Sequence, residues 1–331
     1  MRSLALFLLK LGFTCLCLWW VFAQVDVANS VFARPGAVDY RWLAGGTALA
    51  GLAVALNAVR WWIFIRAQEL CVPVRRAIEL TMVGNLFSLV SVGGVAGDAA
   101  RVLLLIRDHP SRKLVATMSV LVDHLAGMVS LALLFFAVSV ARFEALVDQS
   151  VLGRGVMTFS WFFMGGGLAL IVLISVCASP PMHRRIHANG RFDRWPTLNR
   201  LPGIYDIYRR KWPLGLAGVA ISVLMLLVYF ASFWCGLRAV GGTADAGAVI
   251  TAMPVIDAVS GLPVTVAGLG VREKLFEVLL GDLVGESAET AVAASLAGFA
   301  CNTLWALLGA VFFLKKRDRV KLVELEQAKE F

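Results

Sequence analysis

Runs of about 20 apolar residues recur along the whole chain, each long enough to cross a hydrocarbon core of about 30 Å at 1.5 Å of helix rise per residue. Within lipid, every backbone N–H and C=O must be satisfied inside the protein. Unbroken apolar runs of this length therefore read as helices. Six are clear, at about 4–23, 43–65, 114–140, 156–178, 214–236 and 288–314. Hydrophobic residues make up 59% of the 331 positions and the mean hydropathy is +0.79, more than a water-facing surface carries. No soluble domain fits between the spans, so residues 1–331 read as one all-α polytopic membrane domain.

Two further apolar stretches, about 77–106 and 246–280, are broken near their middles. The first break is Ser91-Val92-Gly93-Gly94-Val95-Ala96-Gly97-Asp98, and the second runs from Gly261-Leu262-Pro263 to Gly268-Leu269-Gly270. Arg66, Arg75 and Arg76 precede the first stretch, and Arg107, Arg112 and Lys113 follow it. If it crossed the bilayer, one of these basic clusters would lie outside. The flanks of the second stretch are poor in basic residues. Treating both as re-entrant hairpins satisfies the positive-inside rule throughout. The alternative is a pair of kinked spanning helices.

With hairpins, the chain becomes six spanning helices plus two re-entrant hairpins, in halves of about 1–141 and 156–314 that repeat each other upside down. Cytoplasmic segments then hold 21 Lys and Arg, and external loops hold five. Both termini face the cytoplasm, and the expected location is the inner cell membrane. Residues 1–24 start like a signal peptide, but the apolar run is too long for one and is interrupted by Lys10, so it reads as a retained first span. Inverted repeats with broken helices near the midplane are an architecture of secondary transporters.

A net charge of +9 would suggest nucleic acid for a soluble protein. Here the basic residues sit in short loops, where they report orientation. The linker 182–213 interleaves eight Lys and Arg with Trp195, Tyr205, Tyr208 and Trp212. It can rest on anionic headgroups or serve as an ordinary cytoplasmic loop. Residues 315–331 form a charged cytoplasmic tail. The six cysteines show no metal or disulfide spacing, and His183 with His187 lacks the companions of a metal site. Gly165-Gly166-Gly167, inside a span, reads as a helix-packing surface.

Ionisable residues inside apolar stretches are costly, about 2.5–3.5 kcal/mol each at a helix centre, and here they gather at the breaks. Asp98 and Arg101 lie three residues apart, on one helix face, and Arg272 and Glu273 follow the second glycine cluster directly. A half-helix starting at such a break turns its free N–H groups inward, which suits an anion. On this reading Arg101 and Arg272 hold a lipid phosphate, Asp98 and Glu273 hold the arginines or titrate, and Gly94, Gly97, Gly268 and Gly270 complete the substrate-binding set. The alternative is two structural ion pairs. Asp123, His124 and Asp257 lie deep in their helices, either as a proton-coupling set or as structural partners. Lys10 and Arg60 are read as snorkelling toward the interface.

These motifs carry a resemblance. Asn85, Gly93-Gly94-Val95-Ala96-Gly97-Asp98-Ala99-Ala100-Arg101, Asp123, Leu262-Pro263 and Gly268-Leu269-Gly270-Val271-Arg272-Glu273 resemble the transmembrane region of lysylphosphatidylglycerol synthases, a flippase-like family with stand-alone members. The likeness spans nearly the whole chain. It implies movement of a phospholipid or polyprenyl-phosphate-type lipid between leaflets. The aminoacyl-transferase domain of the two-part synthases has no counterpart in these residues, so no synthase activity is expected. The expectation is thus a transporter rather than an enzyme, with no cofactor or metal and with an anionic-headgroup lipid as partner. The alternative is a non-transporting partner of a glycosyltransferase or lipid-modifying enzyme, docked through 182–213.

Overall fold

The computed structural model describes residues 12, 14–17, 19–20, 36, 38–90, 95–142, 150–179, 209–262 and 264–315. Among these, every regular element is helical: α1 (Tyr40–Ala67), α2 (Val74–Val90), α3 (Val95–Asp108), α4 (Lys113–Ala141), α5 (Val151–Ala178), α6 (Trp212–Ala239), α7 (Ala246–Ser260), α8 (Val271–Val284) and α9 (Ala288–Lys315), with a 3-10 turn at Pro110–Arg112. Five of the described helices are long and apolar enough to cross a bilayer: α1, α4 with its preceding turn, α5, α6 and α9. They match five of the six expected spans. Most of the first expected span, Lys10, the residues 91–94 that include Gly94, Pro263, nearly all of the linker, His183, His187 and the tail lie outside the described residues.

Local chemistry sets the helix boundaries. Asp39, Ser150 and Asp245 cap α1, α5 and α7 by accepting hydrogen bonds from free backbone N–H groups of the first turn. Gly285, at φ 68°, adopts the left-handed conformation that ends α8. Helices of 14 or 15 residues, such as α3, α7 and α8, reach only about 21–23 Å, short of a full crossing.

The centre is the antiparallel pair α1 and α6. Asp39 N donates to Ala239 O at 2.9 Å at one end, and Lys211 Nζ donates to Ala67 O at 2.8 Å at the other. Small residues bring the backbones together: Gly46 faces Ser232 and Cys235, and Gly218 lies under the Phe64 ring. Helix α9 packs against both. Gly51 abuts the Trp305 indole, whose Nε1 donates to Thr47 O at 2.7 Å, and Asn302 donates to Ser232 Oγ at 3.1 Å.

Helices α2 and α3 form an antiparallel hairpin. Arg76 and Asp108 pair at its base, with Arg76 Nε 2.7 Å from Asp108 Oδ2, while Gly84 and Ser88 meet Gly97 near the tip. Helices α7 and α8 form a second one. Glu286 accepts from Thr243 N and Ala244 N at the base, and Ser260 meets Gly268 at the tip. The first hairpin leaves from the Ala67 end of the central pair and the second from the Ala239 end. Helix α5 is peripheral, touching α4, α7 and α8, with Val172, Leu173 and Val176 exposed.

Candidate functional site

Asp123 in α4 has no accessible surface, and both of its carboxylate oxygens are engaged. Oδ1 accepts from Arg60 Nε at 2.7 Å and Oδ2 from Arg101 Nη1 at 3.0 Å. Arg60 also donates to Ser222 Oγ and Asn57 Oδ1, both at 3.0 Å, which ties α1, α4 and α6 together. Arg101 pairs through Nη2 with Asp98, and its guanidinium lies 5.1 Å from the Trp61 ring centroid. Asp98 Oδ2 is 3.0 Å from His124 Nδ1, at the more open edge of the cluster. Two arginines thus face two carboxylates, and Asp98 and Arg101 act with residues of three other positions rather than as a pair.

At the second break, φ is positive at Ala267, Gly268 and Gly270, so the chain turns sharply before α8 begins. Glu273 is fully buried and caps that start: Oε2 accepts from Gly270 N at 2.5 Å and Oε1 from Ser295 Oγ at 2.9 Å. Its oxygens therefore serve the fold. Arg272, only 6% exposed, reaches Glu273 Oε1 at 3.4 Å and stacks 4.3 Å from the Phe299 ring centroid. Its Nε–H has no hydrogen-bond partner among the described residues.

Three neighbouring cavities connect these clusters. The largest, about 790 Å³, has the Arg60, Arg101, Asp123 and His124 side chains at one end and a long apolar wall of α4 and α5 residues. A second, about 400 Å³, lies among α1, α2, α6 and α9 and is lined by Asn57, Asn85, Tyr229, Arg272 and Asn302. A third, about 180 Å³, sits beneath the tip of the second hairpin. Asp257 lines all three.

The family model for the lysylphosphatidylglycerol synthase transmembrane region matches residues 7–309. The chain belongs to this family. A search of the curated proteins gives no match. The lysylphosphatidylglycerol synthase region thus takes in both hairpins and all the described cavities.

Within this family member, the expected site residues are sorted by geometry. Arg101, Asp123 and His124 line the large cavity, with Asp98 bonded to Arg101 and His124 behind them, while Arg272 faces the two smaller ones, so the two arginines line different spaces. Gly97 is a packing contact, because a Cβ there would overlap the Ser88 hydroxyl. Gly268 and Gly270 make the turn. Two readings need correction. Arg60 does not snorkel: it is 5% exposed and bonded to Asp123. Gly166 and Gly167 are not packing residues among the described residues, since a Cβ on either would meet nothing of these within 4 Å, and both line the large cavity. Sequence reasoning passed over Tyr229 and Asn302. The placing of Asn57 and Arg60 one turn apart inside an apolar span was the available signal for the first cluster.

Proposed function

We propose that this protein moves a lipid between the two leaflets of its membrane, with the headgroup entering the large cavity and the acyl chains remaining against α5. The observation that carries this reading is that cavity: an apolar wall from α4 and α5, a buried charged end, and a side bounded by the peripheral helix α5. Its volume is within the range of about 300–1,000 Å³ usual for ligand sites. Gly166 and Gly167 leave room along the wall where larger side chains would fill it.

The reading includes an inverted repeat of re-entrant hairpins, with both termini in the cytoplasm. It is supported by matching packing relations: α1 with α6, α4 against α6 as α9 against α1, and hairpins leaving from opposite ends of the central pair. Such halves rock against each other around a central site in transporters.

The test is reconstitution of the full chain in liposomes containing fluorescent phospholipids, with the outer-leaflet fraction followed over time. Exchange faster than in protein-free liposomes supports translocation. Exchange at the protein-free rate, from a protein shown to be folded, overturns it and favours the non-transporting partner.

A further inference from the structure

Arg272 sits in the first turn of a 14-residue helix, where the positive end of the helix dipole favours negative charge. It is more than nine-tenths buried, it lines both smaller cavities, and its Nε–H is unbonded among the described residues. An unbonded donor on a buried cation is costly unless a ligand satisfies it. The guanidinium is held by the stacked Phe299 ring, which fixes its plane without using its donors.

The carboxylates nearby have different duties. Glu273 is engaged by Gly270 N–H and the Ser295 hydroxyl and takes one long contact, 3.4 Å, from Arg272 Nη2, which leaves Arg272 Nε–H for a ligand. Asp257 lines the same two cavities as Tyr229 and Arg272, and no direct Asp257–Arg272 ion pair forms among the described residues. Asn85 and Asn302 bring amide groups to the same space from α2 and α9.

We propose that the cavity between Arg272 and Asp257 is a subsite for a phosphodiester monoanion, and that the anion enters together with one proton carried by the Asp257 carboxylate. A phosphodiester at Arg272 would lie beside an ionised Asp257, and two negative charges in a buried space repel. Protonated, the same carboxyl becomes a donor to the phosphate. Among the described residues, the other charged or titratable groups sharing a cavity with Asp257 are Tyr229 from α6, Arg272 from α8, Asp123 and His124 from α4, Arg60 from α1 and Arg101 from α3, while α5 contributes apolar side chains and glycines. The subsite deepens the lipid reading and rests on it for the source of the anion.

The experiment uses isothermal titration of the full chain in a phosphate-free sugar detergent with three probes: a short-chain phosphatidylglycerol, its tail-free glycerophosphodiester headgroup, and the matching diacylglycerol. Phosphodiesters keep one charge across the range, so the pH response belongs to the protein. Affinity for both phosphodiesters should fall from mildly acid to mildly alkaline buffer, with about one proton taken up per ligand, as read from buffers of different ionisation enthalpy. Arg272→Gln should weaken binding about 10- to 100-fold. Asp257→Asn should bind as tightly in alkaline as in acid buffer, with no proton uptake. Should Arg272→Gln fail to fold, Asn85→Asp serves instead by adding a carboxylate to the cavity, and it should weaken binding.

Lipid binding unchanged in both Arg272→Gln and Asn85→Asp would overturn the subsite and leave translocation standing. Arg272-dependent binding of the tail-free diester, without lipid binding, would support the subsite and remove the lipid reading. A pH response that survives Asp257→Asn and disappears in His124→Gln would overturn the role of Asp257.

Discussion

Arg60 and Asp123, 63 positions apart, meet at 2.7 Å where α1, α4 and α6 converge, and neither is accessible to solvent beyond a few per cent. Removing one member of a buried ion pair leaves the other charge uncompensated, at a cost of about 3–5 kcal/mol. Asp123→Leu leaves two arginines facing each other. It is expected to lower the melting temperature more than any other single change in this cluster. His124→Ala, whose side chain is 59% exposed, should change it little. Thermal unfolding of both variants in the same detergent checks the order.

Gly167 offers a complementary case, because its variant should fold and fail. A Cβ there meets none of the described residues within 4 Å, so Gly167→Leu has space, and leucine favours the helix by up to about 1 kcal/mol. The same side chain would project into the large cavity. The expected result is an unchanged or raised melting temperature together with a severalfold slower lipid exchange in liposomes. Exchange at the parent rate would argue against this cavity as the path.

Gly97 tests the first hairpin. A methyl group there would overlap the Ser88 hydroxyl and press on the Gly84 carbonyl, where backbone cannot give way cheaply. Gly97→Ala should destabilise by about 1–3 kcal/mol through overpacking. Gly166→Ala, with open space around it, should be neutral or stabilising. Comparison of the two melting curves separates hairpin packing from a general effect of alanine.

Glu273→Gln keeps the shape of the helix cap and removes its charge. The amide oxygen can still accept from Gly270 N–H or Ser295, but the favourable interaction with the helix N-terminus and the charge pairing with buried Arg272 are both lost. A loss of about 3–5 kcal/mol is expected, because the Arg272 charge is left buried, and Glu273→Ala should lose more. Chemical denaturation in detergent gives the difference.

Orientation is tested by single cysteines in a background without the native six. Position 111, in the turn before α4, should be shielded from an impermeant reagent applied outside, and positions 150 and 287 should react. Labelling of position 111 from outside would require the first hairpin to cross the bilayer.

Apolar run length and helix geometry determined much of this protein from sequence alone. The five described spans are recognisable because only a helix satisfies its backbone in lipid, and the breaks at 91–98 and 261–270 are recognisable because glycine and proline interrupt that pattern. The short spacing between Asp98 and Arg101 likewise announced a local pair. Long-range relations were a different matter. That Arg60 turns inward to Asp123 depends on three helices converging; Asn57 one turn away hinted at a polar face, but which partner that face meets is set by α4 and α6. That Gly166 and Gly167 border open space rather than a neighbour depends on how loosely α5 sits against α4. Hydropathy records what each segment can be buried in. Which charges meet, and which donor stays unbonded, is decided only when segments distant in sequence are packed at fixed distances.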